Sequence, residues 1–436
     1  MLNRADNEML TRVGRGTPMG ELLRQYWLPA ALSSELPMGA PLRVRLLGED
    51  LVAFRNRSGV GLLAEACPHR QASLYFARNE DDGLRCVYHG WKFDAAGRCL
   101  DMPNEPSECQ FADKIRTTAY PAQERNGVIW AYLGPREPPP ALPDLEWNAK
   151  EGETPFLWRS LRQCNWVQAL EGDIDSSHIN WLHGVLEGPN PSTVPGGEMP
   201  GYWTKGARLA QADRAPRMDV TDTECGVVYS ARRDFDAGHD YHRVHPFLFP
   251  FYTMVGGGVE SDEVSYNGKA WVPMDDERTL VLEWQHRPGK PWTEEERAEL
   301  ARIRNPWGNL PDNGAAGGAW RSRANRDTNY FLDRGLQNST LFFGILSNPL
   351  QDAAVQESMG AIVDRSREHL GPADAMIIRV RKRLLDAARA LRDRNETPPG
   401  LDNPGLYAVR PVGAVLPKGA DWFAATRDRR EAGSEI

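Results

Sequence analysis

Between Cys67 and His89 the chain carries two short pairs of metal-ligand residues, Cys67-Pro-His69 and Cys86-Val-Tyr-His89, with 16 residues between them. Each arm offers one thiol and one imidazole. Three readings are open. Two Cys and two His can close a tetrahedral zinc site, although zinc fingers usually keep the two Cys together and the two His together. A [2Fe–2S] centre whose irons take both thiolates and both imidazoles, respectively, suits arms that each carry one of each. The third reading is two packing thiols and two surface imidazoles. Pro68 and Gly90 favour tight loops, so a metal reading demands two loops clamped face to face. Their backbone N–H groups could then bond to cluster sulfurs.

Composition narrows the setting. A chain of 436 residues exceeds one ordinary core, so two or more domains are expected. Its 41% hydrophobic and 26% charged residues are those of a globular protein. No apolar run approaches the roughly 20 residues of a membrane span, and the start MLNRADNEMLTRVGRG has no apolar signal region. A net charge of −8 argues against a nucleic-acid surface. Six Cys in such a length are no disulfide framework. A cytoplasmic location with reduced thiols is expected, which favours metal binding by the paired residues.

Along the chain, MGELLRQYWLPAAL predicts a short helix before Pro29. LRVRLLGEDLVAF (42–54) predicts a hairpin around Gly48-Glu49-Asp50. GVIWAYLGP (127–135) predicts a strand, and the proline-rich REPPPALPDLE (136–146) a boundary. Segments 226–236, 264–274 and 278–288 predict strands, the last two paired. The Gly/Asn-rich stretch 305–329 reads as a lid, a subunit contact or a plain surface loop. Residues 351–393 predict helix with a break at Gly371-Pro372.

A second constellation is NWVQALEGDIDSSHINWLHG (165–184). Glu171 and Asp175, and Asp175 and His178, would share a helical face. His178 and His183 are five apart, so on a straight helix they point about 140° apart. Both can reach one metal only if the helix unwinds or bulges between them. Two His and a carboxylate on one face of a metal make the facial triad of non-haem Fe(II) oxygenases.

The motif Cys67-Pro-His69…Cys86-Val-Tyr-His89-Gly-Trp resembles that of Rieske proteins. The string Glu171-Gly172-x-x-Asp175-x-x-His178-x4-His183 resembles the phthalate 4,5-dioxygenase-like branch of the Rieske aromatic ring-hydroxylating oxygenases. The resemblance covers nearly the whole chain. It implies an α+β fold: an N-terminal helical segment (1–35), a small all-β Rieske [2Fe–2S] domain (36–135), and a catalytic domain (136–436). The last would be a helix-grip (START/Bet v1-like) antiparallel sheet with C-terminal helices. The resemblance puts the cluster on Cys67, His69, Cys86 and His89. It puts a mononuclear Fe(II) on His178, His183 and a distant Asp, which falls on Asp352 in NPLQDAAVQESMGAIVDRSREHLG. Asp352 could instead simply cap that helix, with Asp364 a weaker substitute. Asp175 matches the residue that bridges an iron-ligand His to a Rieske His of a neighbouring subunit. The implied partners are O2, an aromatic substrate, an NAD(P)H-dependent flavin/iron–sulfur reductase, and further copies of this chain in a homotrimer or stacked trimers. Neither nucleic acid nor membrane is expected.

Two departures stand out. Gln71 replaces the Gly that many relatives carry after Cys-Pro-His-Arg. His242 and His245 stand in HRVHPFLFPFYT, which resembles the substrate-facing strand, and this leaves the substrate open. Arg243 in that strand could hold a substrate carboxylate, with Arg208 or Lys205 assisting; a solvated or salt-bridged Arg243 is the alternative. Cys99, Cys109, Cys164 and Cys225 read as packing thiols. Cis-dihydroxylation and monooxygenation, including O-demethylation, share this machinery. A pure electron carrier with no second iron is a further alternative.

Overall fold

The computed structural model describes residues 2–57, 59–106, 108, 111–149, 155–186, 209–210, 213–256 and 265–432. Two short helices open the chain. Asn3 caps the first, Arg4–Thr11, and Thr17 with Pro18 opens the second, Pro18–Arg24. The helix expected up to Pro29 ends at Arg24. The apolar run Trp27–Leu32 forms a fully buried strand instead, antiparallel to Val128–Tyr132. Pro29 fits there because the register shifts between Pro29 and Ala31, which removes the demand for its missing N–H.

The cluster motifs sit between two small sheets. Leu42–Leu46, Glu49–Asn56, Gly59–Ala64 and Ala119–Tyr120 make one, and the hairpin expected at 42–54 is its first pair. Arg78–Glu80, Gly83–Arg85, Lys92–Phe93 and Cys99–Asp101 make the other. Val52, Phe54, Leu63, Leu74, Leu84, Trp91 and Phe93 pack around Cys67 and Cys86 as a separate core.

An 8-stranded antiparallel sheet dominates the rest. Phe156–Arg162 is one edge, followed by Thr279–His286, Tyr266–Pro273, Tyr252–Val255, His239–Leu248, Gly226–Asp234 and Arg217–Thr223; Val412–Pro417 pairs with His239–Leu248. The strands expected near 264–274 and 278–288 pair with each other. The helix Trp166–Ile174 lies on this sheet, and Asn348–Ser358 packs against it. The long helix Ala375–Arg394 rests on the outer strands and on both N-terminal helices. The break expected at Gly371-Pro372 is wider, since 359–374 holds only short 3₁₀ turns. The fold is therefore α+β, an all-β body followed by an antiparallel sheet with C-terminal helices. The 305–329 loop is stitched down: Arg43 donates to Gly314 O at 2.9 Å and Trp320 Nε1 to Glu35 at 2.6 Å. No described helix is long and apolar enough to cross a membrane.

Candidate metal centres

The two Cys-led loops close in the same way. Gln71 N donates to Cys67 O at 2.9 Å and Gly90 N to Cys86 O at 3.0 Å. Cys67 N donates to Ala72 O at 2.9 Å and Cys86 N to Trp91 O at 2.8 Å. The fifth residue of each loop is left-handed, Gln71 at φ +61° and Gly90 at φ +80°. Gly90 takes that conformation freely, and a Cβ there would meet Pro103 Cγ at 2.6 Å. Gln71 bears a cost of about 1–2 kcal/mol for it, which explains why Gly suits this position.

These loops bury the sulfurs and leave the imidazoles at the surface. Cys67 and Cys86 are 1% and 3% exposed, while His69 and His89 are half-buried with ring centroids 4.5 Å apart. His69 stacks on Trp91 at 4.3 Å, and Trp91 is fixed by Asn104. Burial pushes the Cys67 thiol up to about 11; the His69 backbone N–H opposes this and neighbouring Cys86 adds to it. Thiolates are thus disfavoured here unless a cation compensates them, and bound iron would supply that charge. The four residues fit a cluster held by two thiolates inside and two imidazoles outside.

The second centre is built on an interrupted helix. Asn165 caps Trp166–Ile174, and the chain leaves helical geometry at Asp175. Ser177 N and Oγ both donate to Asp175 Oδ1, at 2.7 and 2.6 Å, and hold the break. A single 3₁₀ turn, His178–Asn180, then swings the chain round. As a result His178 Nε2 and His183 Nε2 lie 3.2 Å apart. Asp352 Oδ1 completes the triangle at 3.7 Å from His178 Nε2 and 3.2 Å from His183 Nε2. Donors at right angles on one ion, with bonds of ~2.1 Å, sit about 3.0 Å apart. Among the described residues this is the group of three or more that could hold a metal ion.

Packing brings Asp352 in from far along the chain. A Cβ on Gly172 would meet Gln356 Nε2 at 2.4 Å, so a side chain there would displace the Gln356 amide that bridges the two helices. Gln356 Nε2 then donates to Ala169 O at 3.2 Å. Burial pushes the Asp352 carboxyl up, but His183, His178 and Lys269 reverse this and hold it well below the usual range. Burial pushes the His178 imidazole down, while Asp175 and Asp352 raise it overall.

Asp175 Oδ2 lies 3.5 Å from His178 Nδ1, on the side away from the triangle. Glu171 does not share that face. It is buried between Arg381, at 2.6 Å, and Arg365, at 3.0 Å, and holds the helix in place. Asp173 takes Lys269 and Thr253, and Thr253 accepts from Trp271 Nε1 at 2.8 Å. Arg243 Nη1 donates to Ser176 Oγ at 3.3 Å, and the fully buried Arg233 donates to Ser176 O at 2.8 Å. Burial, with Arg243 adding to it, pushes Arg233 down to about 10. Among the described residues, neither guanidinium has a carboxylate within 4 Å. His245 bonds Tyr229 at 3.2 Å and His242 bonds Ser230 at 2.8 Å, both buried.

The structure thus gathers Cys67, His69, Cys86 and His89 at one place and His178, His183, Asp352 and Asp175 at another. Asp364 is elsewhere, capping the 3₁₀ turn Arg365–Arg367. Lys205, Arg208 and Cys109 lie outside the described residues. Cys164 and Cys225 are buried, and Cys99 is half-buried beside the cluster core. Arg233 and Gln351, which holds His183, were not singled out from the sequence. No local spacing marks either.

Residues 26–121 match the Rieske [2Fe-2S] domain model, and residues 131–435 match the LigXa C-terminal domain like model. The 3-chlorobenzoate-3,4-dioxygenase oxygenase subunit of Comamonas testosteroni is 40% identical, with 98% of each chain covered. The phthalate 4,5-dioxygenase oxygenase subunit of Pseudomonas putida is 35% identical, covering 97% of this chain and 94% of that one. The 5,5'-dehydrodivanillate O-demethylase oxygenase subunit of a Sphingobium species is 31% identical, covering 100% and 92%. In fold, the terminal oxygenase of carbazole 1,9a-dioxygenase from Nocardioides aromaticivorans superposes with a TM-score of 0.56 at 20% identity, covering 88% of this chain and 100% of that one.

Proposed function

Because the chain belongs to the Rieske non-haem iron oxygenases as an oxygenase subunit, we propose that it cis-dihydroxylates a carboxylated aromatic ring of the benzoate or phthalate type. It would draw on O2 and on electrons from an NAD(P)H-dependent flavin/iron–sulfur reductase in the cytoplasm. The observation that carries this reading is the convergence of His178 Nε2, His183 Nε2 and Asp352 Oδ1 within 3.7 Å of one another. A pure electron carrier has no use for that second donor set. In this reading Cys67, His69, Cys86 and His89 hold the [2Fe–2S] cluster in a domain spanning 36–135. His178, His183 and Asp352 hold Fe(II) in a catalytic domain spanning 136–436, after an N-terminal segment of 1–35. When bound, the cluster supplies single electrons and the mononuclear iron supplies O2 activation.

The chain's own residues do the rest. Asp175 orients His178 through Nδ1 and keeps lone pairs for the partner subunit's His89, so that the two redox sites are linked across an interface. Val87 and Tyr88 are exposed beside His89, and Trp181 and Phe342 are exposed beside the His178–His183 turn. Two such apolar rims, one beside each metal site, support a closed ring of three copies. Arg243 and Arg233 add two positive charges next to Ser176 with no carboxylate partner among the described residues, which supports an anionic substrate.

O-demethylation of a methoxylated aromatic acid is the second reading, supported by the 31% identity to an O-demethylase subunit. Turnover with a surrogate reductase, NADH and a panel of benzoate, phthalate and methoxybenzoate acids and their methyl esters decides. The proposal expects O2 uptake and a cis-diol from an acid but not from its ester. Formaldehyde release would install the second reading. Activity confined to esters and neutral rings would remove the carboxylate argument.

A further inference from the structure

The two imidazoles of the mononuclear site lean on unlike partners. His178 Nδ1 faces the Asp175 carboxylate, whereas His183 Nδ1 lies 2.6 Å from Gln351 Oε1. Gln351 is 1% exposed and immediately precedes Asp352 on the helix Asn348–Ser358. Its amide is pinned at the far end, because Nε2 donates to Ile345 O at 2.6 Å. A backbone carbonyl only accepts, so the NH2 group must face Ile345 and the oxygen must face His183. That oxygen in turn only accepts, so His183 must carry its proton on Nδ1. The lone pair is thereby left on Nε2, the atom that faces His178 and Asp352.

We propose that Gln351 is a positioning residue for the mononuclear metal: it selects the Nδ1–H tautomer of His183 and fixes the ring, using the Ile345 carbonyl as its own anchor. This rests on the reading of His183 as a ligand. The arrangement also couples two ligands, since the residue that orients His183 is the chain neighbour of Asp352. A shift of the helix start moves both together. Gln351 contributes no charge, so the two imidazoles receive different support, anionic at His178 and neutral at His183.

The test uses cluster-loaded protein whose mononuclear iron has been stripped. Ferrous ion is titrated back anaerobically against a chelator of known affinity, with the cluster spectrum and melting temperature followed alongside. Gln351→Met fills the same space but accepts no hydrogen bond. It is expected to weaken ferrous binding by about 10–100-fold while the cluster spectrum stays unchanged. Gln351→Glu keeps an acceptor at His183 but sets an oxygen against Ile345 O. It is expected to bind ferrous ion within about threefold of wild type while melting earlier. If Gln351 were only an anchor for Ile345, the order would invert, with Gln351→Glu the weaker binder. That inversion, or wild-type affinity in Gln351→Met, overturns the proposal. If Gln351→Met does not fold, loss of ferrous binding by Gln351→Glu overturns it alone. His183→Ala separates the two levels of argument: wild-type affinity in that variant removes the ligand reading itself.

Discussion

His178 Nε2 and His183 Nε2 stand 3.2 Å apart although five positions separate the residues. On a continuous helix the rings would diverge, so the break at Asp175 is what makes the pair a pair. His183→Ala and Asp352→Ala are therefore expected to lower iron from about three to about two per chain, cluster iron included. Turnover should vanish while the Rieske absorption persists. Iron analysis against cluster absorbance checks this, and near-normal turnover in Asp352→Ala would falsify its role.

Cys67→Ser should abolish cluster assembly. Cys67 is 1% exposed and is the one thiol of its loop, and a hydroxyl is a far poorer iron donor than a thiolate. The purified variant is expected to be colourless in the iron–sulfur region. Retention of full absorbance would count against Cys67.

Asp175→Asn separates orientation from ligation. The change is nearly isosteric, but an amide cannot accept from imidazole N–H groups on both sides. Both metals should load, and the cluster should be reduced at a normal rate. Cluster reoxidation in a single turnover with substrate and O2 should slow sharply, read by stopped flow. Unchanged reoxidation would take Asp175 out of the electron path.

Glu171 sets a pH limit on stability. Burial pushes its carboxyl up, but Arg365 and Arg381 outweigh this and hold it below its ordinary value. The folded value thus lies under the unfolded one of about 4.3. Its stabilisation is complete above that pH and is lost as pH falls through the lowered folded value. Melting temperature should fall more steeply with acid in the wild type than in Glu171→Gln. At neutral pH that variant should lose about 3–5 kcal/mol, because buried Arg365 is left without its charge partner and Arg381 keeps only Glu368. Equal acid slopes in the two proteins would contradict this.

The cluster loops were legible because everything they need is local: donors, Pro68 and Gly90 lie within one stretch. The symmetry of Gln71 with Gly90 was not, since a left-handed backbone leaves no trace when the residue is not glycine. Asp352 came only through family resemblance, because 169 positions separate it from His183 and no periodicity spans such a gap. Glu171 misled, since i,i+4 spacing implies a shared face only where the helix continues, and here it ends at Ile174. The Trp27–Leu32 strand failed for a related reason: an apolar run has no period to read, and pairing with Val128–Tyr132 decided it.

The beginning of the chain is packed against its end. Tyr26 bonds Pro399 O at 2.8 Å, Arg365 bonds Asn7 at 3.1 Å, Arg389 pairs with Asp6, and Leu10, Val13, Met19, Leu22 and Leu23 are fully buried. Their packing surface includes the helix Ala375–Arg394, which begins about 350 positions after the second of these helices ends. At the usual ribosomal pace these side chains wait on the order of 20–70 seconds for it. Through that interval the nascent chain presents an unpartnered apolar stripe, a natural target for chaperones. The cluster-bearing β body, contiguous in sequence, can meanwhile take up its own core. Birth order and assembly order are thus reversed: helices made long before their packing surface are among the last to find their place.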